Sequence, residues 1–324
     1  MPEQLPIQVD PFDGESGTGY CLRAVQRNGL NLHWLRRTAG IGYGKPLDAR
    51  YAPGLAWIFG CTPGWLSHSL AGERRLSGKR RFGLAGELFP FRNQLRIREP
   101  QICPHCVHLD GLCRLNWDLA LVTACPRHDC LLIDTCSYCK SLLRWDRPSI
   151  DLCRCGRPFE RTNQSMSSEF PTALALSYLI KNWMDSSDKL GALTACQLPS
   201  WLGGLSLGGL LGIVHAFGSR ASAYEPCSSW LTKRTARTSY WAQVADRAID
   251  RLRATASGDV VEWKKLEPLV SKTLIEQVAF QSVDQGEQQV LRYLMGALYG
   301  EVLAGHMMGK LPEFSQIDFG WPHV

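Results

Sequence analysis

The chain of 324 residues predicts a mainly α-helical fold with small β ribbons, in three parts. These are an N-terminal helix-turn-helix domain over residues 1–100, tandem ribbons over 101–160 and a helical C-terminal domain over 161–324. Apolar residues recur at helical spacing in the first and third parts. Nine of the thirteen cysteines lie between Cys103 and Cys155, in a stretch short of helix signals. The length suits two domains, or three with one small, at about 150 residues each. With 45% hydrophobic and 20% charged residues, wholesale disorder and fibrous architecture are excluded.

In the first part, 20–28 and 32–38 read as short helices, one ending at Gly29 and the other before Gly40. Residues 51–70 are more informative. Leu55, Ile58 and Phe59 share a helical face and Gly60 breaks the pattern. Thr62 as N-cap and Pro63 at the first helical position then restart it before Leu66 and Leu70. Two short helices around a glycine turn form a helix-turn-helix pattern, which a helical hairpin in a bundle shares.

The net charge of +6 is concentrated next to this unit. Residues 73–98 carry eight cations against Glu73 and Glu87, and the rest of the chain sums to zero. Such a segment is a footprint for phosphate or an acidic partner, the alternative being a solvated arginine-rich loop. Arg74, Arg75, Lys79, Arg80 and Arg81 are the candidate contacts with nucleic acid or a partner.

The second part holds four paired ligand motifs: Cys103-x2-Cys106, Cys125-x2-His128, Cys136-x2-Cys139 and Cys153-x-Cys155. In a chain that opens without the basic stretch and apolar run of a secretory signal, metal ligation explains an odd cysteine count better than disulfides do. The same opening implies a cytoplasmic protein. Each pair forms a tight turn whose side chains converge on one ion, and eight ligands suffice for two closed tetrahedral zinc sites. Thiolate and imidazole are the donors zinc prefers, and metal bonds can hold a small ribbon that lacks a core of its own.

Pairing in sequence order gives one site of Cys103, Cys106, Cys125 and His128, with 18 residues between the pairs. The second site is then Cys136, Cys139, Cys153 and Cys155, with 13 between. Each half then has a ribbon-like spacing of its own, and a crossed pairing, as in cross-brace modules, is the alternative. Gly156 supplies the positive φ a turn after the last knuckle needs. His105, His108, Cys113 and Cys130 fall outside the pairs and read as non-ligands. With four protein ligands each, the two Zn2+ are expected to be structural, leaving water no open position.

In the third part, 190–219 contains no Asp, Glu, Lys or Arg. Its unbroken apolar part, 201–217, falls short of the ~20 residues a membrane span requires. It reads instead as a buried helix capped by Ser206, with Leu207, Leu210, Leu211 and Val214 at i, i+3, i+4 and i+7. Further helices are predicted over 172–184, 228–255 and 286–308. The last has a stripe of Val290, Leu291, Leu294, Leu298, Val302 and Leu303 that reads as an ordinary core face. The aromatic end, 311–324, is expected to pack as a tail on a domain or partner. GESGTG at 14–19 lacks the lysine of a phosphate-binding loop, and GxSxG, HExxH and dinucleotide fingerprints are missing. The chain therefore reads as non-enzymatic, a nuclease built from dispersed carboxylates being the enzymatic alternative.

Pro11, Glu15, Ser16, Tyr20, Arg23, Asn28 and Gly29, followed by CPHC, CPRH, CSYC and CRCG, together resemble the TniQ/TnsD family of transposition target-selection proteins. The resemblance covers about the first half, with Gly17 and Gly19 standing where the family has bulkier residues. It implies an adaptor that marks a target for DNA integration and recruits an AAA+ ATPase regulator (TnsC-like), which brings the transposase. The chain's length is similar to that of members from CRISPR-associated transposons. For those the resemblance implies a homodimer riding on an RNA-guided Cascade complex with its guide RNA at target DNA. The alternatives are an adaptor that binds duplex DNA directly and a zinc-ribbon helix-turn-helix transcription regulator reading a major groove.

Overall fold

The computed structural model describes residues 3–300 except 77, 162–168, 186–187, 225–235 and 258–259. Four short helices open the chain: α1 (Gly17–Arg27), α2 (Leu32–Thr38), α3 (Ala52–Phe59) and α4 (Pro63–Ser69). The predicted bounds of α2 agree with those observed, whereas α1 starts three residues before the predicted 20. Ser16 caps α1 by accepting from the Gly19 amide at 3.4 Å. The two glycines allow close packing there. A Cβ on Gly17 would sit 2.7 Å from the Ser69 carbonyl oxygen, and one on Gly19 would sit 2.8 Å from Cys113 Cβ. Tyr20, fully buried, stands edge-on to Phe59 at 5.4 Å and to Trp65 at 5.0 Å, tying α1 to α3 and α4.

Helices α3 and α4 pack against each other across a turn at Gly60, whose φ of 68° closes α3 in the left-handed region. Thr62 and Pro63 hold the predicted positions at the start of α4, although the threonine side chain makes no capping hydrogen bond. Pro63, Gly64 and His68 face solvent.

The basic segment is a sheet, which helical periodicity did not anticipate. Strands β1 (Gly72–Leu76), β2 (Lys79–Leu84) and β3 (Glu87–Phe89) form an antiparallel meander, with Arg74 opposite Arg81 and Arg75 opposite Arg80. Phe82, Leu84 and Phe89 anchor its inner side to the core, so it is not a solvated loop.

The cysteine-rich part contains α5 (Pro104–Asp110) and a two-stranded ribbon of β4 (Ala124–Cys125) and β5 (Cys130–Leu131), where irregular ribbon alone was expected. Isolated bridges pair Ile102 with Ile133, Thr135 with Leu142 and Leu152 with Pro158.

Seven helices follow: α6 (Pro171–Asp185), α7 (Lys189–Ala195), α8 (Leu207–Gly218), α9 (Thr238–Ala254), α10 (Val260–Leu266), α11 (Lys272–Gln281) and α12 (Gln285–Tyr299). Every residue of α8 is buried, which explains its lack of charge. Ser206 caps it, accepting from the Gly209 amide at 3.0 Å while donating to Glu287 on α12 at 2.6 Å. Helices α9 and α11 and strand β3 surround α8. Helix α6 spans the predicted 172–184. Helices α7, α10 and α11 lie outside the predicted set, being short or carrying weak periodicity. Helix α9 starts at Thr238, ten residues after the predicted 228, and α12 ends at Tyr299. Residues 228–235, Val302, Leu303 and the tail 311–324 lie outside the described residues.

The buried hydrophobic side chains form one connected cluster from Leu5 to Leu298. Polar contacts cross it: Gln94 Nε2 donates to the Gly208 carbonyl at 2.7 Å, and the Thr123 and Ala124 amides donate to Ser177 Oγ on α6. Among the described residues no helix is long and apolar enough to cross a membrane.

Candidate metal centres and basic surfaces

The structure brings Cys103, Cys106, Cys125 and His128 together, and separately Cys136, Cys139, Cys153 and Cys155, each set with its donor atoms within 4.8 Å of one another. These are the sequential groupings, not the crossed ones. In the first set Cys103 is the N-cap of α5, its sulfur accepting from the Cys106 amide at 3.5 Å. The β4–β5 hairpin brings up Cys125, and the turn after it brings up His128, whose amide donates to the Cys125 carbonyl at 3.3 Å.

A tetrahedral ion with bonds of about 2.3 Å to sulfur and 2.0 Å to nitrogen sets edges of about 3.8 Å between sulfurs and about 3.5 Å between sulfur and nitrogen. Cys106 and Cys125 sulfurs are 3.7 Å apart. His128 Nδ1 lies 3.5 Å from Cys103, 3.2 Å from Cys106 and 3.6 Å from Cys125. In the second set Cys136 and Cys155, and Cys139 and Cys153, are each 3.8 Å apart. Both sets therefore fit a tetrahedral ion.

The second set is assembled by two hairpin tips. The Cys136 amide donates to the Ser141 carbonyl, and the Gly156 amide to the Cys153 carbonyl, with Gly156 at φ 79° as expected for that turn. Hydrogen bonds from Ser141, whose hydroxyl lies 2.9 Å from the sulfur, lower the Cys139 thiol to about 6, so a thiolate is available at neutral pH. The two sets differ in exposure. The three cysteines of the first are buried, whereas Cys139 and Cys155 of the second are exposed.

The neighbouring His and Cys residues take other positions. His105 stacks on the His128 ring, with centroids 5.2 Å apart and planes 25° from parallel. Cys130 lies opposite Cys125 in the hairpin, with its sulfur 3.6 Å from Cys103. Cys113, buried against α1, receives a hydrogen bond from Arg147 at 3.6 Å, and burial pushes its thiol up to about 11.

Sequence reasoning missed Arg147. Its buried guanidinium lies 5.3 Å from the Trp145 ring and 5.5 Å from the Phe159 ring, and it donates to the carbonyls of Arg144, Ser149 and Ile150. Through Cys113 it fastens the second ribbon to the segment that follows α5. Nothing in a lone arginine signals this role in advance.

The basic hairpin divides between two environments. Arg74 and Arg75 are exposed on β1, and Arg80 forms an ion pair with Glu73 at 2.6 Å. Lys79 and Arg81 turn towards α11, where they hydrogen-bond to the Phe280 carbonyl and the Gln281 side chain. Arg81 is only 3% exposed, so its side chain serves the packing of the hairpin on the helical part.

A family model described as TniQ matches residues 6–132. The match takes in α1 to α5, the basic hairpin and the first ligand set, and ends before Cys136. Within it Glu15 accepts a two-pronged contact from Arg23 at 2.8 and 2.7 Å, and Asn28 clasps the backbone of Ile7. No curated protein matches the chain.

Proposed function

From the TniQ domain that the chain carries over residues 6–132, a domain of transposition-associated adaptors, we propose that the protein is a non-enzymatic target-selection adaptor for DNA integration. It links an RNA-guided Cascade complex with its guide RNA to a TnsC-like AAA+ ATPase, and through that to the transposase and target DNA, acting as a homodimer. The observation that carries this reading is the TniQ match itself. The two ligand sets support it, because two structural Zn2+ would stiffen the middle of the chain between its ends. In this reading residues 1–100, 101–160 and 161–324 act as three domains. Cys103, Cys106, Cys125 and His128 hold one ion, and Cys136, Cys139, Cys153 and Cys155 the other.

The second reading, direct binding of duplex DNA, is favoured by one observation. The start of α4 is exposed and is followed directly by a hairpin bearing Arg74 and Arg75. That is the layout of a recognition helix with cations placed for backbone phosphates.

The test is targeted integration in cells carrying the whole locus. Deleting the gene for this chain should abolish insertion at the guided target, and supplying it in trans should restore it. Undiminished guided insertion in the deletion strain would overturn the adaptor reading.

A further inference from the structure

A cavity of about 210 Å³ opens between α2, the loop 41–47 and the second ribbon, away from both ligand sets and from the β1–β2 hairpin. Five cations line it, Arg36, Arg37, Lys45, Arg98 and Arg144, against one carboxylate, Asp146. Ile41, Leu47 and Trp145 give it an apolar floor. Arg36 Nε donates to the Lys45 carbonyl at 3.2 Å, holding the loop beside the helix. Burial lowers the pKa of Arg36 in spite of Asp146 nearby, so the cleft holds positive charge that its own residues only partly balance. Arg144 lies 3.8 Å from Glu99 and 3.9 Å from Asp146, too far for the two-pronged hydrogen bonding that would occupy its fork.

At the rim stands Tyr43, 93% exposed and edge-on to His33 at 6.5 Å. A second cavity of about 240 Å³ shares Ile97 and Arg98 with the first and adds Arg92 against one carboxylate, Glu99, which carries the net-basic path beyond a single phosphate. Cations along a groove with an aromatic ring at its mouth are the elements that hold unpaired nucleotides. The guanidinium forks take backbone phosphates and the ring takes a base face. A duplex offers no free base face to Tyr43, and an acidic peptide offers it nothing to stack on.

We propose that this cleft binds single-stranded nucleic acid, with a backbone phosphate among Arg36, Arg37 and Arg144 and an unpaired base on Tyr43. DNA and RNA share that chemistry and differ by the 2′-hydroxyl. The proposal concerns the purified chain alone and does not depend on the adaptor reading.

The test is fluorescence anisotropy with the full, metal-loaded chain and labelled single strands of about 20 nucleotides, one DNA and one RNA, at low and raised salt. Binding of either strand supports the proposal, and a preference for RNA adds a contact to the 2′-hydroxyl. The double variant Arg37→Glu/Lys45→Glu, whose side chains are both exposed, should bind at least about tenfold more weakly, with a salt slope lower by roughly two counterions. Tyr43→Ala should weaken single-strand binding by roughly fivefold or more. Thermal melts check that both variants remain folded, and Lys264→Glu on α10, an exposed cation outside the cleft and the hairpin, should leave single-strand affinity within about twofold. No binding of either strand would overturn the proposal, as would cleft variants that bind like the parent. A polyglutamate peptide that displaces the strand while Tyr43→Ala has no effect would reassign the cleft to an acidic peptide.

Discussion

Arg96 Nη1 lies 3.3 Å from Asp134 Oδ2, both side chains almost wholly buried where the first part of the chain, the ribbons and α9 meet. Asp134 also accepts from the Thr238 amide at 2.7 Å, so a residue over a hundred positions away caps α9, whose own N-cap, Arg237, makes no side-chain cap. Arg96 donates further to Thr238 Oγ1, and that hydroxyl donates to Gln101. Removing one partner leaves the other charge buried and uncompensated. Asp134→Ala should therefore cost on the order of 3–5 kcal/mol in urea unfolding. The double change Arg96→Met/Asp134→Leu should cost less than either single truncation; an additive cycle would show that the pair is not coupled.

The purified chain should carry two zinc ions by elemental analysis, because both donor sets have tetrahedral edges. A chelator should remove the ion at Cys136, Cys139, Cys153 and Cys155 first, since two of those four are exposed while the cysteines of the other set are buried. Cys136→Ser should give insoluble or unfolded protein. A soluble, fully active Cys136→Ser variant would contradict a structural role for that set.

Asp118 is buried and accepts from Ser16 Oγ at 2.7 Å. Burial, opposed by that hydrogen bond, raises its carboxyl from 3.8 to about 7. The folded chain thus holds this proton over a pH range in which the unfolded chain has released it. The stabilisation is fully present below the unfolded value of 3.8 and is lost as pH rises through about 7. Asp118→Asn should melt above the parent at about pH 8 and flatten the slope of stability between about pH 5 and 7. Equal slopes in a pH series of thermal melts would remove the assignment.

Within the basic hairpin, neutralising Arg74, Arg75 and Arg80 together should lower integration while leaving the melting temperature near that of the parent, because all three are exposed. Arg81→Ala should instead lower the melting temperature, since its side chain is buried against Gln281. Integration that is unchanged in the triple variant would take the hairpin out of the contact surface.

Local chemistry determined what could be read from the sequence. Helix α2 and the Ser206 cap were legible because a cap needs only its next three residues, whereas Thr62 takes the N-cap position of α4 without a capping hydrogen bond. All eight metal-site candidates were legible because knuckle spacing is a short-range signal, and the fold chose between sequential and crossed grouping. The β1–β2–β3 meander was missed because its arginine-rich strands lack apolar alternation on the exposed side. Arg81 and Arg96 read as part of the basic footprint and Arg147 carried no signal, and only the tertiary contacts with Gln281, Asp134 and Cys113 reveal all three as interior residues. The cleft under Tyr43 draws its cations from three separate stretches of chain, a convergence that no window of sequence displays.

The most direct test of the adaptor account is affinity purification of the tagged chain expressed with its native locus, with mass spectrometry of the co-purifying proteins and sequencing of any bound nucleic acid. The account predicts Cascade subunits with guide RNA together with the AAA+ ATPase. Recovery of duplex DNA and the ATPase without RNA would contradict it and mean that this chain selects the site itself.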